Sequence, residues 1–212
     1  MLVLAFDTAT PAVTAAVHDG GRVLAESTTV DARRHGELLA PTIDKVLREA
    51  GATLRDVTAI ISGTGPGPYT GLRVGLMTAQ SLSTALGVPA YGVCTLDVLA
   101  YGSGLAKEFL VATDARRKEV FWARYADART RIEGPFVDKP ADVPAGGLPV
   151  VGPGLYPELL GRPVAPPYPL AGFLAALAAE RMAAGAQLDR PRPIYLRRPD
   201  AVVPGAPKRV TP

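Results

Sequence analysis

Few residues in this chain have the type and spacing to do chemistry. Asp7-Thr8-Ala-Thr10 follows the apolar run Leu2–Phe6, and Asp114 follows a second such run, Phe109–Thr113. A carboxylate beside hydroxyls at the end of a strand can position a cation or a water. It can equally cap its own backbone as an Asx turn. As a pair, Asp7 and Asp114 could hold a cation between them or serve only as turn caps. His18 and His35 cannot build a Cys/His zinc site, because Cys94 is the single cysteine. His35 has no histidine partner one helical turn away, where Asp31 and Leu39 stand. No G-x-S-x-G surrounds any serine, so nothing supports a serine nucleophile. The remaining candidate is Gly63–Gly75, with glycines at 63, 65, 67, 71 and 75 and prolines at 66 and 68. It could cradle an anion at a helix N-terminus. It could also be a tight turn that packs a helix close to a sheet, with Gly65, Gly67, Thr70, Gly71 and Gly75 in structural roles. It is not a Walker loop, since no Gly-Lys-Ser/Thr follows, and it is not a G-x-G-x-x-G opening a first βαβ unit.

The elements that must position these residues alternate clearly. Strands are expected at 2–6, 13–17 and 22–29, with a hairpin at Asp19-Gly20-Gly21. A helix is expected over His35–Ala50, with Leu38, Leu39, Ile43, Val46 and Leu47 apolar, Pro41 inside it and Gly51 ending it. A strand at Ala59–Ser62 leads into the glycine-rich turn. Thr70 is the expected N-cap of a second helix, which carries Val74, Met77, Leu82 and Leu86 and stops at Gly87. A strand at 88–93 and a helix capped by Thr95 complete a β-β-β-α-β-α-β half, with a boundary near 102–104. The second half offers strands at 109–113, 119–125 and 131–137, a pair at Val150-Val151, a helix at 170–186 and a short closing element at 193–197. The expected organisation is 1–103, 104–198 and a loose Pro-rich basic tail at 199–212.

With 212 residues, 48% of them hydrophobic, the chain can bury one large core or two small ones. No window has the length of a membrane span, and no secretory leader is recognisable. A single cysteine fits a reducing cytoplasm. The net charge is +3, yet residues 190–212 alone carry +5, so the rest sums to −2. That basic end could touch RNA phosphates or simply be solvated.

Several motifs fall in a familiar order: Asp7–Thr10, Arg34-His35-Gly-Glu-Leu38-Leu39-Ala-Pro41, Gly65–Gly75, Asp114–Ala123 and Pro193-Ile-Tyr-Leu-Arg197. Over nearly its whole length the chain resembles the TsaB (YeaZ) family of tRNA threonylcarbamoyladenosine biosynthesis subunits. Where the family usually has Ser-Phe this chain has Pro68-Tyr69, and Gly36 stands where a serine is usual.

The resemblance implies a two-lobed α/β fold, actin-like (ASKHA) and ribonuclease-H-like, with a reduced second lobe. It implies a non-catalytic subunit docking on TsaD through its first two helices, with TsaE near the same junction and tRNA met through the complex. On that view the interface draws on His35, Leu38, Leu39, Ile43, Leu47, Arg73, Val74, Met77, Thr78 and Ser81. Asp7, Thr8, Thr10 and Asp114 would lie nearest any nucleotide. ATP or ADP and a metal would belong to the partner subunits, and the chain would hold no metal or cofactor of its own. Alone, the same apolar surface could pair with itself. The residues agree that the catalytic parts are missing. An actin-like ATPase needs Asp-Gly at its second phosphate loop, and here Asp114 is followed by Ala-Arg-Arg-Lys, whose side chains would fill that space. Gly152-Pro-Gly154 only faintly echoes an adenosine-binding turn. The competing readings are a small actin-like ATPase or kinase-like enzyme, and an RNA-binding protein acting through its basic tail.

Overall fold

The computed structural model describes residues 1–197; the tail expected at 199–212 lies outside the described residues. Five strands form the first sheet: β1 (Val3–Asp7), β2 (Ala12–His18), β3 (Val23–Val30), β4 (Ala59–Gly63) and β5 (Ala90–Val93). Their spatial order is β3-β2-β1-β4-β5. β1, β2 and β3 pair antiparallel, while β4 and β5 run parallel to β1. Every residue of β1 and β2 is buried, because helices cover both faces.

The alternation along β1 divides the core. Leu4 and Phe6 face α1 (His35–Glu49) and α2 (Tyr69–Leu86), where Leu39, Ile43, Val46, Leu47 and Ala79 pack on them. Val3 and Ala5 face the other way, onto Val98 of α3 (Thr95–Ser103) and Leu174, Leu177 and Ala178 of α5 (Ala171–Ala183). α1 runs unbroken through Pro41. α2 ends at Gly87, whose left-handed backbone (φ +68) closes the helix.

The second sheet has the order β10-β9-β6-β7-β8, built from β6 (Phe109–Arg116), β7 (Glu119–Asp127), β8 (Thr130–Asp138), β9 (Val150–Val151) and β10 (Pro163–Val164). One face packs on Leu96, Leu99 and Ala100 of α3, which therefore serves both sheets. Among the described residues, the other face packs on the 143–160 stretch, including the four-residue α4 (Pro157–Leu160). α5 follows this sheet in sequence but returns to the first. The Thr14 hydroxyl donates to Pro169 O (2.9 Å), and Gly172 N–H donates to the Glu26 carboxylate (2.7 Å). Among the described residues, no helix is long and apolar enough to cross a membrane.

Two expected caps take other roles. α2 begins at Tyr69 after Pro68, so Thr70 is its second residue, exposed, and no side chain caps the helix. Thr95 is the first residue of α3 and caps nothing. Its hydroxyl is drawn into the site below.

Candidate functional site at the mouth between the sheets

Asp7 ends β1, fully buried. Its Oδ1 accepts the N–H of Ala9 (2.6 Å), which is the Asx turn its position suggests. Its Oδ2 accepts the hydroxyl of Thr95 (2.7 Å), and that hydroxyl accepts the N–H of Gly65 (3.0 Å). Thr95 N–H returns to Gly65 O (2.8 Å). One carboxylate thus ties the β1–β2 turn to α3 and to the glycine-rich turn. The fit is close: a Cβ on Gly63 would collide with the carboxylate. Burial pushes the Asp7 pKa up to about 6, against the opposing pull of the Ala9 and Thr95 hydrogen bonds.

Thr8 locks α2. Its hydroxyl donates to Gly71 O (2.8 Å) and accepts Gly75 N–H (3.0 Å), two groups one helical turn apart on α2. A Cβ on Gly71 would approach Thr8 O to 2.6 Å, and one on Gly75 would approach Thr8 Oγ1 to 2.6 Å. Gly67 meets the carbonyl of Ala9 with no room for a side chain, and Gly65 holds a left-handed φ of +83. The glycines therefore let α2 close on the β1–β2 turn. Thr10 accepts Ala12 N–H through its hydroxyl (3.3 Å), and its carbonyl lies 2.7 Å from His35 Nε2. A carbonyl only accepts, so that nitrogen carries the proton. A cavity of about 210 Å3 remains between the N-termini of α1 and α2, bordered by Thr8, Thr10, His35, Thr70 and Arg116.

Across the mouth, the β6–β7 hairpin is built differently. Asp114 Oδ1 accepts Arg116 N–H (2.7 Å), and its other oxygen lies 3.4 Å from the Arg116 guanidinium. Arg116, Arg117 and Lys118 all adopt left-handed φ, at 61°, 55° and 61°, and all are exposed. Arg116 borders the cavity on the β1–β2 side, and Arg116 and Arg117 line a second groove toward Tyr69. The segment Asp189–Arg197 crosses the mouth. Gly92 N–H donates to Asp189 O (2.9 Å), and Ile194 N–H to Thr64 O (2.9 Å). At its far end Arg197 donates to Ala115 O (3.1 Å) and pairs with Glu119. This strap joins the first sheet to the second hairpin. The sequence signals it only as a short closing element, because its bonds are to residues some hundred positions away. Gly152 is a packing glycine, since a Cβ there would strike Ala112 O. Among the described residues, no group of three or more His, Cys, Asp or Glu could hold a metal ion.

The residues expected on the outer helix faces divide. Leu39 (1% exposed), Ile43 and Leu47 are core, not surface, because the stripe at 39, 43, 46 and 47 faces the sheet. Leu38, His35, Val74 and Thr78 are half-buried, while Arg73, Ser81 and Met77 (52%) are exposed.

The two sheets, their facing hairpins and the helices between them define an actin-like α/β protein with a reduced second lobe. The family model for TsaD, tRNA N6-adenosine threonylcarbamoyltransferase, matches residues 22–160. An uncharacterized protein of Mycobacterium tuberculosis is 47% identical over 208 residues, covering 94% of this chain and 93% of that one. The tRNA threonylcarbamoyladenosine biosynthesis protein TsaB of Escherichia coli is 38% identical over 128 residues, 59% of this chain and 55% of that one. The solved structure of YeaZ from Pseudomonas aeruginosa superposes with a TM-score of 0.78 at 31% identity, covering 92% of this chain and 99% of that one. The chain belongs to the TsaB (YeaZ) family.

Proposed function

We propose that this chain is a non-catalytic subunit of the cytoplasmic machinery that makes N6-threonylcarbamoyladenosine at position 37 of ANN-decoding tRNAs. It docks on TsaD, with TsaE at the same junction and tRNA met through the complex. Nucleotide and metal are held by those partners. The names carried by the Escherichia coli relative and the matching family model support the pathway. The single observation that supports the absence of catalysis is the state of Asp7. An ATPase of this fold would need that carboxylate free to orient a metal-bound water. Here it is fully buried, and each of its oxygens already accepts a hydrogen bond from the chain itself.

The docking face is the outer side of α2, with Arg73, Val74, Met77, Thr78 and Ser81, flanked by His35 and Leu38 of α1. An exposed methionine among small and polar residues suits a packed helix contact. Without TsaD the same face would pair with a second copy. Leu39, Ile43 and Leu47 drop out, and Leu39→Arg would unfold the chain instead of testing the contact. The test is reconstitution from TsaD, TsaE and the enzyme that makes the threonylcarbamoyl intermediate. Modification should require this chain. Met77→Arg and Thr78→Arg should each lose TsaD in a pull-down, and the exposed Met77→Arg should leave stability within about 0.5 kcal/mol. Undiminished capture of TsaD by both variants contradicts the face assigned.

A further inference from the structure

We propose that the groove between the first turn of α2, the β6–β7 hairpin and the strap binds a single-stranded nucleic acid. The groove measures about 680 Å3 and runs between Tyr69, Arg116, Phe121, Tyr195 and Arg197. That volume is of ligand-binding size. Two of its aromatic rings are half exposed, Tyr69 at 56% and Tyr195 at 50%, with centroids 5.6 Å apart. The Arg73 guanidinium lies 5.1 Å from the Tyr69 ring centroid. Exposed tyrosines beside arginines form a stacking platform for bases, which present open faces only when unpaired.

Charge points the same way. The strap, 189–197, sums to +2, the hairpin 114–119 to +1, and Arg73 adds +1, while the whole chain is only +3. The positive charge is therefore concentrated around this mouth. Arg190 and Arg192 are exposed on the strap beyond the groove and continue the cationic track. Among the described residues, no carboxylate lies within ion-pair distance of Arg73, Arg190 or Arg192. A polyanion carrying planar rings meets both features. That the strand is RNA rests on the function proposed above; the stacking and charge do not.

Fluorescence anisotropy of the full chain with a short labelled single-stranded RNA tests this. The single strand should bind more tightly than the same sequence as a duplex. Tyr195→Ala should weaken it about tenfold, the loss of one stacked base. Arg192→Gln should flatten the dependence of log affinity on log salt by roughly one. Tyr195→Ala removes an exposed ring and leaves the strap's backbone bonds to Thr64 and Gly92 in place. Equal affinity of wild type and Tyr195→Ala overturns the proposal, as does absence of binding or equal affinity for the duplex. Displacement of the RNA by AMP at comparable concentration identifies a mononucleotide as the ligand and overturns the strand. The assay contains no partner subunit. A chain that binds RNA yet is dispensable for modification removes the proposed function alone, and a required chain that binds none removes this inference alone.

Discussion

The two hairpins that face each other across the mouth have opposite constitutions. In the β1–β2 turn a carboxylate and a hydroxyl are sealed inside, each bonded to a distant element. In the β6–β7 turn the carboxylate bonds its own loop and pairs with Arg116, and Arg116, Arg117 and Lys118 are exposed on left-handed backbone. The two turns are thus a structural lock on one side of the mouth and an exposed charged rim on the other. The difference teaches that the same residue types, a carboxylate at a turn, can be bonded across the fold or only within their own loop.

The sharpest way to break the contrast is to add one carbon beside the sealed turn. Gly67→Ala places a Cβ against the Ala9 carbonyl, which has no flexible side chain to yield. Urea unfolding should show a loss of about 3 kcal/mol, at the upper end of overpacking costs. The second turn should tolerate change, as described for the smallest effect below.

Asp7 supplies a pH test of the sealed turn. Its folded pKa of about 6 lies above the ordinary 3.8. The fold therefore resists ionisation that the unfolded chain undergoes freely. Stability is fully present below pH 3.8 and is lost as pH rises, the loss being complete above about pH 6. Asp7→Asn cannot ionise and escapes this loss. The stability of the variant relative to wild type should rise by about 2 kcal/mol between about pH 4 and about pH 8. A pH-independent difference would place the carboxylate in water.

The smallest effect belongs to the open turn. Lys118→Gly should stabilise by about 1 kcal/mol, because a left-handed φ of +61 costs lysine and not glycine. Thermal unfolding would show a modest rise in midpoint; a fall would mean that the lysine side chain is holding the turn.

Much of the fold is legible in the sequence because its signals are local. The hairpin at 19–21, the apolar period of α1 and the glycine after α2 each act within a few residues. The Asx turn at Asp7 is local too. The roles of Thr95 and the strap are not, since Thr95 bonds a residue 88 positions away. Thr70 misleads for a simple reason: Pro68 presets the backbone, and the helix starts one residue before the threonine. Leu39, Ile43 and Leu47 mislead differently, because periodicity finds an apolar stripe without saying whether a sheet or a partner covers it. β9 is only two residues long and β10 equally short, so sequence barely distinguishes either from a loop.

The central claim is that Asp7 holds the fold and performs no chemistry. The most direct measurement is reconstituted threonylcarbamoyladenosine formation with wild-type chain or Asp7→Asn, at about pH 8, with the folded state of the variant checked by its unfolding curve. The account predicts equal modification rates. A folded Asp7→Asn chain that binds TsaD but supports no modification would contradict it.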